Sequence, residues 1–237
     1  MRYLRVDIHF ASPVSIGTLP THLDALLAFC WYLDNGYYDH PATREQIVEP
    51  ELPLERFRDI WKASAGFVVG VESVDTWHKR WEDRYEEYVD FKGRKEKINI
   101  GSGYFKSYAM PLRIISTPKM VFFAVGDKEE IERLLKKYLI AVGKKRRIGY
   151  GLVKDVEVFE IDKDRSILMP GGVAREIPVD YVEYYMPNEI IVSTYKIPYW
   201  LPDNMKRIYV PKWFFKSLEE FEEYTGEPYL LKHALSS

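Results

Sequence analysis

The chain has 237 residues, 46% of them hydrophobic and 15% aromatic, which suits one large or two small domains with a packed core and excludes wholesale disorder. Its 34 basic and 36 acidic side chains leave a formal charge of −2, so a polyanionic partner has to be met by a local patch. The single cysteine, Cys30, excludes an internal disulfide and a cysteine-built zinc cluster. A reducing, cytoplasmic setting is expected. No stretch approaches the roughly 18 apolar residues of a membrane span, and the N-terminus lacks the apolar core of a signal peptide, so no membrane partner is expected.

Leu4, Val6, Ile8 and Phe10 alternate with Tyr3, Arg5, Asp7 and His9, the period of a half-buried first strand. Thr21 and Asp24 have capping-box spacing ahead of a helix whose buried stripe is Leu23, Leu26, Leu27 and Cys30, ended by Gly36. Pro41, Pro50 and Pro53 mark a surface excursion with a short helix near Leu54–Lys62. Phe67–Val71 reads as a buried strand. From Trp77 the pattern turns charged, aromatic and mixed in period, an insertion. Tyr104–Ile115 and the run ending at Val125 read as a strand pair joined at Thr117-Pro118-Lys119. Asp127 with Glu130 caps a second helix bearing Ile131, Leu134, Leu135, Tyr138 and Val142, with Gly143 as its stop. Val156 and Val158 then share one face of a further strand.

The order strand, helix, strand pair, helix, strand predicts an α+β fold with a ferredoxin-like (RRM-like, βαββαβ) core. Two helices would cover one face of an antiparallel sheet and leave the other free for a ligand. The expected organisation is a core over 1–161, interrupted by a thumb-like insertion at about 39–103. An irregular, strand-containing C-terminal extension over 162–237 follows, with a last short helix near Lys216–Tyr224.

The loop G-K-K-R-R-I-G-Y-G, Gly143–Gly151, carries the strongest chemical signal. Gly149 and Gly151 permit positive φ and bring backbone N–H groups close to phosphate oxygens. Lys144, Lys145, Arg146 and Arg147 attract a phosphodiester backbone regardless of sequence, and Tyr150 can stack on a base. A solvated helix end, where cations suit the dipole, is the plainer reading. A nucleoside triphosphate loop is excluded, because the lysine-then-hydroxyl ending is missing and the loop follows a helix. Trp77-His78-Lys79-Arg80-Trp81 suits either a single-strand platform using Lys79 and Arg80 or a helix burying one face. Lys92, Arg94 and Lys95 suit a solvated hairpin tip or a mobile basic finger. His22 and His9 are the residues a metal-independent ribonuclease would use, although neither has a second catalytic group beside it in sequence. No pattern calls for a metal or cofactor.

These residues together resemble a RAMP-superfamily subunit of a CRISPR effector complex, most closely the Csf-type, handle-capping subunit of type IV systems. The resemblance is carried by L-D-A-L-L-A-F (Leu23–Phe29), M-P-L-R-I-I-S (Met110–Ser116), F-F-A-V-G-D (Phe122–Asp127), the glycine loop and A-R-E-I-P-V (Ala174–Val179). It spans about residues 1–180. It implies a non-catalytic subunit that grips the five-prime handle of a guide RNA through Gly143–Arg147 and Gly149–Gly151, helped by Arg5, His9 and the basic insertion. Such a subunit caps a filament of backbone subunits and adjoins the large subunit that meets target DNA near the flanking motif. The insertion at Trp77–Tyr108 would be its thumb. Processing of precursor RNA by His22 or His9, and an RRM-like binder outside CRISPR, are the alternatives.

Overall fold

A computed structural model describes residues 1–37, 47–89, 98–183 and 189–230. The strands are β1 (Arg2–Phe10), β2 (Arg56–Phe57), β3 (Ile60–Trp61), β4 (Phe67–Val69), β5 (Val71–Lys79), β6 (Tyr108–Ser116), β7 (Lys119–Gly126) and β8 (Val153–Glu160). The last third adds β9 (Leu168–Met169), β10 (Gly172–Val173), β11 (Ile177–Pro178), β12 (Glu189–Thr194), β13 (Met205–Val210) and β14 (Phe214–Phe215). Helices are α1 (Leu23–Asp34), α2 (Lys128–Tyr138) and α3 (Leu218–Thr225). The class is α+β, with a central sheet ordered β14–β4–β7–β1–β8. The pairs β4–β7, β7–β1 and β1–β8 are antiparallel, and β14 lies parallel to β4.

The alternation in β1 sets the two faces. Leu4, Val6 and Ile8 are paired with Ala124, Phe122 and Met120 of β7, and Val6 and Ile8 with Val158 and Val156 of β8, all buried. Against this apolar face pack α1 and α2, which also contact each other. α2 starts as its sequence predicts: the Asp127 carboxylate accepts the N–H of Glu130 at 3.1 Å. Glu130 does not complete the reciprocal box, because Asp127 N–H is taken by Pro53 O. α2 ends at Tyr138, so Gly143 is not its stop. α1 is capped by the His22 backbone without a side-chain bond. Thr21 and Asp24 form no capping box; Asp24 is buried and bonded elsewhere.

The opposite face is not open. Phe67, Phe123 and Phe215 meet Phe221 and Tyr224 of α3 in a continuous aromatic layer. Further along, Tyr229 covers the polar residues of β1. Arg5 and Asp7 are fully buried, and Lys119 nearly so. Arg5 forms a bidentate pair with Asp7 and donates to Pro228 O and Tyr229 O (2.7 Å to the latter). Lys119 Nζ completes the cluster at 2.6 Å from Asp7. The expected free face is therefore filled, from residues more than 200 positions away in sequence.

Three further expectations change. Leu54–Lys62 is the tight β2–β3 hairpin and not a helix. β6 and β7 are strands but do not pair with each other: β6 pairs along its whole length with β5, and β7 with β1 and β4. Trp77 lies in β5, so its spacing to Trp81 is not helical. The expected last helix forms at Leu218–Thr225, capped by Ser217 and stopped by Gly226 in the left-handed region. In the C-terminal third, β11–β13–β12 form a small sheet over a second core of Ile60, Ile167, Val173, Ile177, Tyr195 and Ile208.

Candidate nucleic-acid interface

The glycine loop is held by its base and exposed at its tip. Lys144 N–H donates to Ser15 O (2.6 Å), Gly151 N–H to Pro13 O (2.8 Å) and Val142 N–H to Gly151 O (2.9 Å). Gly151 has φ +66, and a Cβ there would stand 1.9 Å from Val142 O, so no other residue fits. Gly149 has φ +97 over open space. Between these points Arg146–Ile148 form one 3-10 turn. Lys144, Arg146, Arg147 and Gly149 are exposed, whereas Lys145 and Tyr150 are half-buried.

The same 11–18 segment seats the arm formed by β5 and β6. Val14 bridges Ile115 through both backbone bonds (3.0 and 2.8 Å), and Ser15 Oγ donates to Arg113 O at 3.0 Å. Loop and arm then touch directly. Lys145, held at φ +59, places its ammonium 3.5 Å from the Trp77 ring centroid, and the Tyr150 hydroxyl donates to Asp75. That bond holds the Asp75 carboxyl below its ordinary range and raises the Tyr150 hydroxyl. Arg146 lies 5.5 Å from the Phe29 ring of α1. Among the described residues none of the four loop cations forms an ion pair with a carboxylate. Their charge is therefore not neutralised by a carboxylate of the described residues.

Beyond Trp77 the arm continues the aromatic character. Trp77 meets Tyr108 edge-on at 5.4 Å, and Trp81 meets Phe105 at 4.8 Å. Tyr104 is 84% exposed, with Lys79 Nζ 5.1 Å from its ring and bonded to its carbonyl. Arg80 is exposed. Lys79 and Arg80 thus lie on the same arm as the loop's aromatic partner, and the strand conformation of Trp77–Lys79 rules out the buried helix.

The remaining candidates separate. Arg5 is withdrawn as an RNA contact, because it is buried under Tyr229 and its donors are consumed. His9 is part-exposed at the end of β1 and bonded to Glu157 at 2.6 Å, beside the exposed Asp155. This strip is acidic and unsuited to phosphate. His22 is buried, stacked at 4.9 Å on Tyr199, with Nε2 against Glu176. Lys92, Arg94 and Lys95 lie outside the described residues. Sequence reasoning missed Asp75, Tyr108 and the Pro13–Ser15 seat, none of which carries a local signal. Among the described residues no group of metal-type ligands gathers, and no helix is long and apolar enough to cross a membrane.

Next to α1 lies a buried polar network. Arg175 donates to Trp61 O (2.6 Å), Ala63 O (3.1 Å), Tyr195 O (3.0 Å), Asp24 (3.2 Å) and the Tyr199 hydroxyl (2.9 Å). Burial and then Asp24 push the Tyr199 hydroxyl well above its ordinary range, so it stays a donor to Asp24 at 2.9 Å. Arg175 thereby ties the C-terminal third to the first helix.

The fold and the candidate site define an α+β chain with a cationic loop braced on an arm of two paired strands. The family comparison makes this specific: residues 2–211 match the sequence model described as CRISPR type IV associated protein Csf3, and the chain belongs to that family. No curated protein matches the chain.

Proposed function

We propose that the chain is the non-catalytic subunit that holds the five-prime handle of the guide RNA and caps the backbone filament of a type IV effector complex. The handle is gripped by Lys144–Arg147, Gly149, Tyr150 and Gly151, with Lys79 and Arg80 of the arm. The strand order β4–β7–β1–β8, with α1 after β1 and α2 after β7, supports a ferredoxin-like, RAMP-type core over 1–161 and an extension from 162. The β5–β6 arm, inserted between β4 and β7, then serves as the thumb. Neighbouring backbone and large subunits, and target DNA beside the flanking motif, are the remaining partners of this reading.

The observation that carries it is the pairing of Lys145 with Trp77. The loop's cations are braced against the arm's aromatics, so one surface offers both phosphate attraction and ring faces. The burial of His22 counts against its use as a general base in the nuclease alternative, which leaves the part-exposed His9, paired with Glu157, as the residue that reading would need. The test is binding of a labelled single-stranded repeat RNA over a range of salt. Lys144, Lys145, Arg146 and Arg147 all changed to alanine should lower the log–log salt slope by about 3, at about 0.7 per phosphate contact. An unchanged slope refutes the loop as the grip. Site-specific cleavage of the repeat in EDTA, lost on His9→Ala, would establish the enzyme instead.

A further inference from the structure

Among the described residues only two non-glycine residues hold a positive φ, and both are cations over an aromatic ring. One is Lys145. The other is Arg58 (φ +55), at the turn of the β2–β3 hairpin, with its guanidinium 4.6 Å from the Tyr181 centroid. Glycine or asparagine adopts this conformation at lower cost, so a bulky arginine there needs a reason. Its fold contacts supply little: the side chain is exposed, and its polar bond is one long donation to Asp180 O at 3.3 Å.

Other groups converge on the same ring. Lys206 of β13 lies 4.8 Å from Tyr181 and 5.4 Å from Tyr195. Asp59, the residue after Arg58, accepts from Tyr181 (2.5 Å), Tyr195 (2.8 Å) and Lys196 (2.6 Å). Asp59 therefore fixes both rings and occupies Lys196, while Arg58 and Lys206 are left at the surface. Lys206 Nζ lies 3.8 Å from the Asp180 carboxylate, which is 65% exposed, a contact at the outer limit of an ion pair. Because Arg58 and Lys206 share one ring, their charges lie within about 10 Å of each other. Neighbouring phosphates of one strand, spaced about 3.4 Å along the axis, fit that span.

This cluster is separate from the glycine loop. The β2–β3 hairpin joins the sheet at the Gly126 end of β7 through Leu54. The loop joins it at the other end, where Ala11 N–H donates to Leu152 O (2.8 Å) next to the bond from Phe10 N–H to Pro118 O (2.9 Å). The eight residues of β7, about 26 Å of strand, lie between.

We propose that Arg58, Lys206 and Tyr181 form a second nucleic-acid site, which takes the phosphodiester backbone of a strand other than the stretch held by the loop. Tyr181 serves as a platform for cations, so the site reads charge and not base identity. The strand is RNA or DNA, and the assay separates them.

The test uses the full chain with three labelled probes at several salt concentrations: a 20-nucleotide RNA, a 20-nucleotide single-stranded DNA and a 20-base-pair DNA. Arg58→Gly with Lys206→Ala removes both charges while giving the turn a residue that accepts positive φ, so the melting temperature should hold. For the strand that uses the site, the slope should fall by about 1.4 and binding weaken about 25-fold at 0.1 M salt if it is single-stranded, and by more for a duplex. The same loss should appear when the four loop cations are already alanine. Binding of all three probes unchanged by the double variant, in both backgrounds, overturns the second site and leaves the loop reading standing. Loss in the double variant with no loss in the loop variant does the reverse.

Discussion

Replacing Arg175 tests whether the C-terminal third is an integral part of the fold. The guanidinium is fully buried and satisfies four backbone carbonyls, the Asp24 carboxylate and the Tyr199 hydroxyl. Arg175→Met keeps most of the volume but strands a buried carboxylate with only Tyr199 as donor. Removing one partner of a buried pair costs about 3–5 kcal/mol. For a chain of this length 1 kcal/mol moves the midpoint by about 2–4 °C, so a 4 kcal/mol loss lowers it by about 8–16 °C. Thermal melts followed by circular dichroism, with urea titrations for the free energy, measure this. Adding Asp24→Leu removes the stranded charge and should restore at least half of the loss. A drop of under about 3 °C in the single variant, or a double variant less stable than the single, would refute the account of Arg175 as a buried tie.

Burial pushes the Cys30 thiol up to about 12 from 9.0. The folded state then keeps a proton that the unfolded chain releases: stability is intact below pH 9 and falls above it by about 1.4 kcal/mol per pH unit. By pH 10.5 the loss is about 2 kcal/mol, and urea titrations of Cys30→Ala should show an alkaline limb shallower by about one proton. Gly151→Ala, with its Cβ driven into Val142 O, should destabilise by about 2–4 kcal/mol and weaken RNA binding. Gly149→Ala meets open space and should cost only about 1 kcal/mol of left-handed strain, read in the same melts. Asp127→Ala removes the cap on Glu130 N–H and should cost about 1 kcal/mol by urea titration, with RNA binding unchanged.

Elements whose determinants lie within one turn of chain were legible in sequence. Asp127 announces α2, Ile131, Leu134 and Leu135 form its buried face, and Ser217 and Gly226 bound α3. Non-local choices were not. Thr117-Pro118-Lys119 looks like a hairpin turn, yet its flanking strands take partners from Val71–Lys79 and from Arg2–Phe10, with pairings set by the whole sheet. Trp77 and Trp81 share helical spacing, but the cross-strand partners Tyr108 and Met110 decide for a strand. Phe57-Arg58-Asp59-Ile60 lacks the glycine or asparagine that marks a two-residue hairpin, so it read as helix.

The site was half legible for a related reason. The loop's cations are consecutive in sequence, so their concentration is visible without a fold. Arg5 is different, because its alternation with Leu4 and Val6 shows only that it occupies the second face of β1. Whether that face meets solvent depends on Phe221, Tyr224 and Tyr229, which cover it from the far end of the chain. Once it is covered, Arg5 and Lys119 have to be neutralised internally, and Asp7 with the Pro228 and Tyr229 carbonyls does so. The uncovered edge of the same face carries Asp155 and Glu157. The near-neutral total charge thus hides a partition. Carboxylates take the sheet edge and consume the core's cations, while the four charges between Gly143 and Gly149 have no such partner. The surface charge is therefore negative along the sheet edge and positive at the loop, where Lys145 meets Trp77 of the arm.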